Sequence, residues 1–205
     1  MTCETCGNPL ISGAVFCPYC GRQVEGTHEH VDYTYEAFIS YRHLPHDRRQ
    51  AMYLQRSIEG FRIPRSLRHE AGRTRLGKCF RDEDELPTAG SLPDQIRDAL
   101  MRSRFLFVIC SRETCKSRWV LQEVEQFASL HGRDRVRLVL IDGEPDESFP
   151  PLMLKRLEVS DDGQILERDA EPLAAACARI PCAYRPCGCH CAQSPHTPAC
   201  SGDPM

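Results

Sequence analysis

The sequence has no apolar run long enough to cross a bilayer. Its longest apolar run is FLFVIC at positions 105–110, whereas a membrane-spanning helix needs about 20 such residues. The N-terminus also lacks the basic and apolar segments of a secretory signal. Both absences predict a cytoplasmic protein that does not contact the membrane.

The sequence also has little excess charge. The formal net charge of -3 and a pI near 6.2 give no overall attraction to phosphate backbones. Nucleic acid is therefore not expected as a partner.

Glycine-rich phosphate loops are missing as well. No G-x-G-x-x-G follows the first apolar strand, and no G-x-x-x-x-G-K-[ST] occurs. These absences exclude a standard dinucleotide site and a standard P-loop.

Cysteine is scarce only in the middle of the chain. Of thirteen cysteines, Cys79, Cys110 and Cys115 are the only three between residues 31 and 170. An uneven distribution of this kind does not fit a secreted disulfide scaffold. The two ends of the chain therefore need separate explanations.

Two C-x-x-C pairs, each followed by glycine, occupy the first 25 residues. Four thiolates in this spacing suit one tetrahedral Zn²⁺, with glycine permitting each tight turn. Disulfides or a redox pair are the alternatives. The segment resembles a short zinc ribbon with a structural Zn²⁺, and its proposed ligands are Cys3, Cys6, Cys17 and Cys20.

The ribbon has one basic residue, Arg22. This weakens a role in binding phosphate, so the module is interpreted as a structural or protein-contact appendage. A nucleic-acid sensor that regulates the rest of the chain is a further alternative. Residues 26–33 are interpreted as a linker in which His28 and His30 are solvated.

From residue 34 onward, short apolar runs alternate with amphipathic stretches. This alternation predicts a doubly wound, flavodoxin-like α/β domain over residues 34–176. Ligands of such folds bind beyond the carboxyl ends of the strands. The predicted strands span 35–42, 78–82, 104–110 and 135–141, with a weaker fifth strand near 156–167. Helices are expected after Asp47, which is predicted to cap the first one, after Ser91, and around 117–131.

The segment SRWVLQEVEQF, residues 117–127, holds two glutamates that a helix places differently. At 100° per residue, Val120, Val124 and Phe127 define a buried face. Glu123 projects into that apolar arc, where a carboxylate is costly unless something compensates. Glu125 is expected to point into water.

Four motifs in order, YEAFISYRH, FRDEDELPTAGSL, SRFLFVICS and SRWVLQEVEQF, resemble the bacterial form of the Toll/interleukin-1 receptor (TIR) domain. Many TIR domains cleave NAD⁺ between nicotinamide and ribose, in defence or signalling. The resemblance implies an NAD⁺ nucleosidase that yields ADP-ribose or a cyclic form. The glutamate of the family's W-x-x-x-E pattern, its catalytic residue, corresponds here to Glu123.

The resemblance also implies how the substrate is bound. Tyr41 and Arg42, at the end of the first strand, match positions near the bound dinucleotide. Trp119 is expected to shape the pocket wall, with core packing as the alternative. Ser111 closes the third strand at the same rim, where a turn or cap role is the alternative. Arg42 could instead pair with an acidic neighbour such as Asp82 or Glu83.

In the family, the loop after the second strand mediates association between TIR domains. Its residues here are Asp82, Glu83, Asp84, Leu86, Pro87 and Gly90. A non-catalytic TIR adaptor that signals through such association is the alternative function. An adaptor does not need Glu123, which distinguishes the two.

Residues 177–205 depart from the family pattern, which continues into a closing helix. They hold six cysteines and five prolines, which exclude a regular helix. The segment is interpreted as a disordered tail, consistent with a shifted reading frame. A second metal site at Cys187, Cys189, His190 and Cys191 is the alternative.

Overall fold

The computed structural model describes residues 1–24, 32–81, 94–160, 162 and 164–176. The strands are β1 (Tyr35–Ser40), β2 (Cys79–Arg81), β3 (Ser103–Cys110), β4 (Val136–Leu140), β5 (Lys155–Val159), β6 (Ile165–Asp169) and β7 (Ala174–Ala176). The helices are α1 (Pro45–Gly60), α2 (Arg68–Ala71), α3 (Asp94–Met101), α4 (Arg118–His131), α5 (Pro145–Ser148) and α6 (Pro151–Leu154).

Five strands form one parallel sheet within these described residues, in the order β2-β1-β3-β4-β7. On one face, Phe38 and Leu106 of the sheet pack with Phe127 of α4. On the other face, Ile39 packs in a cluster that includes Ala51 of α1. Helices therefore cover both faces, which confirms the predicted doubly wound α/β fold.

The weak strand prediction near 156–167 is corrected. β5 and β6 form a separate antiparallel hairpin, and the fifth strand of the main sheet is β7. Most residues of the hairpin are exposed. Each of these two strands has three charged residues among five, which does not suit a sheet buried on both faces.

The start of α1 differs from the prediction that Asp47 caps it. The helix begins at Pro45, with Leu44 at the N-cap and proline at the first helical position. Asp47 lies inside the first turn and is buried. Its side chain accepts a hydrogen bond from Ser111 instead of capping the helix.

The N-terminal segment is held by short antiparallel bridges, Thr2 with Pro9 and Phe16 with Gln23. It packs against the C-terminal half of α4 and against β5. In the part of the chain that the structure describes, no helix combines the length and apolarity needed to span a membrane.

Several predicted segments lie outside the described residues. They are the interaction loop from Asp82 to Gly90, the capping residue Ser91, most of the 26–33 linker with His28 and His30, and the tail with its candidate metal ligands.

Candidate functional site

Glu123 lies at the carboxyl edge of the sheet. α4 begins after Ser117, whose hydroxyl accepts a hydrogen bond from the backbone N–H of Val120. The helical period places Glu123 on the face that α4 turns to the core, and only 7% of its surface is exposed. The hydroxyl of Ser40, at the end of β1, donates a 2.5 Å hydrogen bond to Glu123 Oε2. Ser40 is therefore one group that compensates the burial of this carboxylate.

Ser40 is a site residue that the sequence prediction missed. It is 1% exposed and shares the strand face of Phe38, which packs in the core beside α4. The strand period of two was the available signal, because a serine in phase with a buried phenylalanine needs a polar partner. In this structure that partner is Glu123.

A second buried serine and carboxylate lie beyond the end of β3. Ser111 Oγ donates a 2.9 Å hydrogen bond to Asp47 Oδ2, and the backbone N–H of Ser111 donates to Thr114 Oγ1 at 2.8 Å. Burial raises the pKa of Asp47, an effect that the hydrogen bond from Ser111 and the nearby His46 partly offset. Ser111 thus sits in a polar cluster at the rim, with its hydroxyl hydrogen committed to Asp47.

Tyr41 and Arg42 follow β1 and face different surroundings. Tyr41 is buried, its ring lies 4.9 Å from that of His43, and its hydroxyl accepts a hydrogen bond from Arg81. Arg42 is partly exposed and pairs with Glu113 at 2.6 Å. The acidic neighbour of Arg42 in the described residues is Glu113, from the segment after β3, whereas the expected neighbours Asp82 and Glu83 lie outside the described residues.

Trp119 lies one helical turn before Glu123 and is 37% exposed. A tryptophan that served core packing would be more fully covered. Its exposure favours a position at the surface over core packing.

The four N-terminal cysteines form one compact cluster. All are buried, and their Sγ atoms lie within 4.8 Å of one another. The separations of 3.7 Å for Cys3–Cys20 and 3.6 Å for Cys6–Cys17 fit a tetrahedral zinc site, whose sulfurs are about 3.8 Å apart when each lies about 2.3 Å from the metal. The donor set therefore suits Zn²⁺.

Glycine closes both cysteine turns, as the sequence indicated. Gly7 and Gly21 have positive φ angles of 70° and 77°. Their N–H groups donate 2.8 Å hydrogen bonds to the carbonyls of Cys3 and Cys17. Other residue types are strained in this left-handed backbone region.

Glu125 departs from the expectation that it points into water. It is half-buried, and its Oε1 accepts a 2.8 Å hydrogen bond from the hydroxyl of Tyr19 in the N-terminal segment. Helix periodicity gave the correct direction for Glu125 relative to the core. Helix periodicity could not predict that the N-terminal segment, distant in the sequence, covers that side of α4.

Comparisons with known proteins agree with the two parts of this structure. A family model described as TIR domain matches residues 38–172, and one described as zinc-ribbon domain matches residues 2–24. The NAD(+) hydrolase ApTIR of Actinoplanes sp. is 36% identical over 110 residues, which cover 54% of this chain and 14% of that protein. The chain thus spans only a small part of that relative's length.

A solved structure is also similar. It is that of the activated Roq1 resistosome directly recognizing the pathogen effector XopQ, in its TIR domains. The sequence identity is 24%, the match covers 55% of this chain and 60% of that chain, and the TM-score is 0.37.

Proposed function

The chain belongs to the TIR domain family, and on this premise we propose that it is an NAD⁺ nucleosidase that breaks the bond between nicotinamide and ribose. The observation that carries the proposal is the buried carboxylate of Glu123, held by Ser40 at the carboxyl edge of the sheet. The likeness to a protein named as an NAD(+) hydrolase supports the same reaction.

The proposed chemistry follows from how the bond breaks. Departure of nicotinamide leaves a ribose with oxocarbenium character, and a fixed carboxylate stabilises the positive charge that develops there. Glu123 supplies that carboxylate, and Ser40 keeps it oriented. Capture of the cation by water gives ADP-ribose, whereas capture by a nucleophile within the same molecule gives a cyclic form.

Substrate contacts are assigned to the rim of the sheet. Arg42 is proposed to meet a phosphate, because its pair with Glu113 is partly exposed and such pairs contribute little in water. Trp119 is proposed to cover one side of the pocket, with Tyr41 on another. Ser111 is proposed to accept a hydrogen bond from a ribose hydroxyl, since its own hydrogen is donated to Asp47.

Zinc is proposed as a structural metal of residues 1–25, with 26–33 as linker, 34–176 as the TIR domain and 177–205 as a tail. When bound, Zn²⁺ supplies the folding free energy that a segment too short for an apolar core lacks. The thiolates of Cys3, Cys6, Cys17 and Cys20 are its proposed ligands.

Other TIR domains are the proposed protein partners, through the loop 82–91. Association of this kind predicts that activity rises with protein concentration. The proposed location is the cytoplasm, where free thiols stay reduced.

Chromatography of nicotinamide released from NAD⁺ tests the proposal, with the full chain at high concentration. The wild type is expected to release nicotinamide, Glu123→Ala to release none, and the exposed control Glu70→Ala to match the wild type. Sedimentation of the same samples checks that association survives Glu123→Ala. A wild type that associates without cleaving NAD⁺ would favour the adaptor instead.

A further inference from the structure

The N-terminal ribbon supplies hydrogen bonds that α4 cannot make for itself. The last four carbonyls of an α-helix have no partner within the helix, and Ser129 belongs to that last turn. The carbonyl of Ser129 accepts hydrogen bonds from the N–H groups of Val15 at 2.8 Å and Phe16 at 2.9 Å. The ring of Phe16 lies beside Gly132, where α4 ends. The ribbon thus caps the C-terminus of α4.

Tyr19, inside the second cysteine turn, joins that turn to the same helix. Its hydroxyl donates a 2.8 Å hydrogen bond to Glu125 Oε1. Glu125 lies two residues from Glu123, and both side chains project from one turn of α4.

The second turn is also fixed from the side of the TIR domain. The carbonyl of Tyr19 accepts hydrogen bonds from the N–H of Leu157 at 3.1 Å and from Arg133 Nη1 at 3.2 Å. Arg156 Nε donates to the carbonyl of Cys20 at 3.3 Å. These contacts require the folded shape of the turn, which in so short a segment depends on bound metal.

Charge favours docking of the metal-loaded ribbon. Four thiolates around Zn²⁺ carry a net charge of about -2, and cations close to the thiolates stabilise such a site. Arg133 and Arg156 bring two positive charges to the turn that holds Cys17 and Cys20. The positive side chains and the proposed negative zinc centre are therefore complementary.

We propose that Tyr19 is a positioning residue for Glu123 and that the ribbon makes this positioning depend on zinc. With zinc bound, the second turn caps α4 at Ser129 and holds Glu125, which fixes the turn that carries Glu123 against Ser40. Without zinc, the turn loses its shape and α4 loses both contacts. Because a misplacement of about 1 Å can cost roughly a hundredfold in rate, cleavage of NAD⁺ then falls. Cleavage of NAD⁺ by this chain thus depends on zinc bound to the ribbon.

Hydrogen exchange of the full chain tests the structural half without reference to activity. Residues 124–131 of α4 are expected to exchange at least tenfold faster after zinc is stripped by a chelator or by Cys3→Ser, while β1 and β3 keep their protection. Cys115→Ser, at a half-buried cysteine outside the cluster, is the matched control. Equal protection of α4 with and without zinc overturns the inference.

Tyr19→Phe tests the positioning role with zinc still bound. It removes one hydroxyl, so the metal content is expected to stay at that of the wild type while exchange of 124–131 increases. The kcat for nicotinamide release is expected to fall three- to tenfold with KM unchanged. Tyr53→Phe, an exposed tyrosine on α1, is the control. Glu125→Gln, which keeps an acceptor for Tyr19, is expected to retain most of the wild-type kcat.

The inference rests on the proposed function only in the kcat measurement. A chain that never releases nicotinamide contradicts the proposed function, and the exchange of α4 in Tyr19→Phe then decides the positioning role alone. The positioning role of Tyr19 is overturned if residues 124–131 exchange at the wild-type rate in Tyr19→Phe. It is also overturned if Tyr53→Phe increases this exchange as much as Tyr19→Phe does.

Discussion

The hydrogen bond from Ser40 to Glu123 is the contact on which the proposed catalysis most depends. Ser40→Ala removes the donor and leaves the backbone of β1 unchanged. Both side chains are buried, at 1% and 7% exposure, and the O···O distance is 2.5 Å. The carboxylate then keeps its position on α4 but loses the hydrogen bond from Ser40.

The size of the effect follows from the charged acceptor. A hydrogen bond to a charged group contributes about 1.5–3 kcal/mol. Each 1.4 kcal/mol or so lost from transition-state stabilisation lowers the rate about tenfold. If the full contribution is expressed in the transition state, Ser40→Ala lowers kcat about ten- to a hundredfold. KM changes little, because the bond orients a catalytic group and does not hold the substrate.

Steady-state nicotinamide release, with kcat and KM determined separately, measures this effect. Ser103→Ala is the matched control, because Ser103 is fully buried and donates to the carbonyl of Ala99 at the opposite end of the sheet. Both variants lose some stability, but only Ser40→Ala loses kcat. A wild-type kcat in Ser40→Ala, or an equal loss in Ser103→Ala, refutes the role assigned to Ser40.

Three further predictions concern stability, measured by urea denaturation. Burial alone would raise the pKa of Glu36. Hydrogen bonds from Arg73 and from the backbone N–H of Gly77 outweigh burial and lower this pKa below its ordinary 4.5. The contribution of ionised Glu36 to the free energy of unfolding is therefore complete above pH 4.5 and is lost as pH falls through the lowered pKa. Glu36→Gln should thus lower stability at pH 7 and lower it progressively less as the solution becomes more acidic. Burial raises the pKa of Asp47 above 3.8, so the wild type loses stability as pH rises through that raised value. Asp47→Asn should abolish this loss of stability. A variant whose stability depends on pH as that of the wild type does would contradict this role of Asp47. Gly143 has φ +81°, and a Cβ there would lie 2.5 Å from Ser148 Oγ. Gly143→Ala should thus lower the free energy of unfolding by about 1–3 kcal/mol, whereas Gly60→Ala, with open space around it, should not.

The sequence predicted those parts of the fold that depend on local pattern. The continuous apolar runs in β3 and β4 identified strands buried on both faces, and the helical period of α4 placed Glu123 in the core. Local pattern also placed glycine after each cysteine turn, where the backbone has positive φ. These features need no knowledge of distant contacts.

Features that depend on distant contacts were missed. Glu125 was expected in water because nothing in its neighbourhood announces the docking of Tyr19, which is 106 positions away. The same holds for Asp47, whose acceptor role is set by Ser111 across the sheet edge. Charge alone could not single out Glu113 as the partner of Arg42, since several acidic residues compete.

The catalytic role of Glu123 is tested by measuring how fast Glu123→Gln releases nicotinamide from NAD⁺ labelled in the nicotinamide ring. Glutamine is nearly isosteric, still accepts the hydrogen bond from Ser40, and removes only the negative charge. We expect release at least a hundredfold slower than from the wild type, with fold and zinc content unchanged and Glu70→Gln as active as the wild type. Release at the wild-type rate by Glu123→Gln would contradict the assignment of the buried carboxylate as the group that stabilises the positive charge on the ribose as nicotinamide departs.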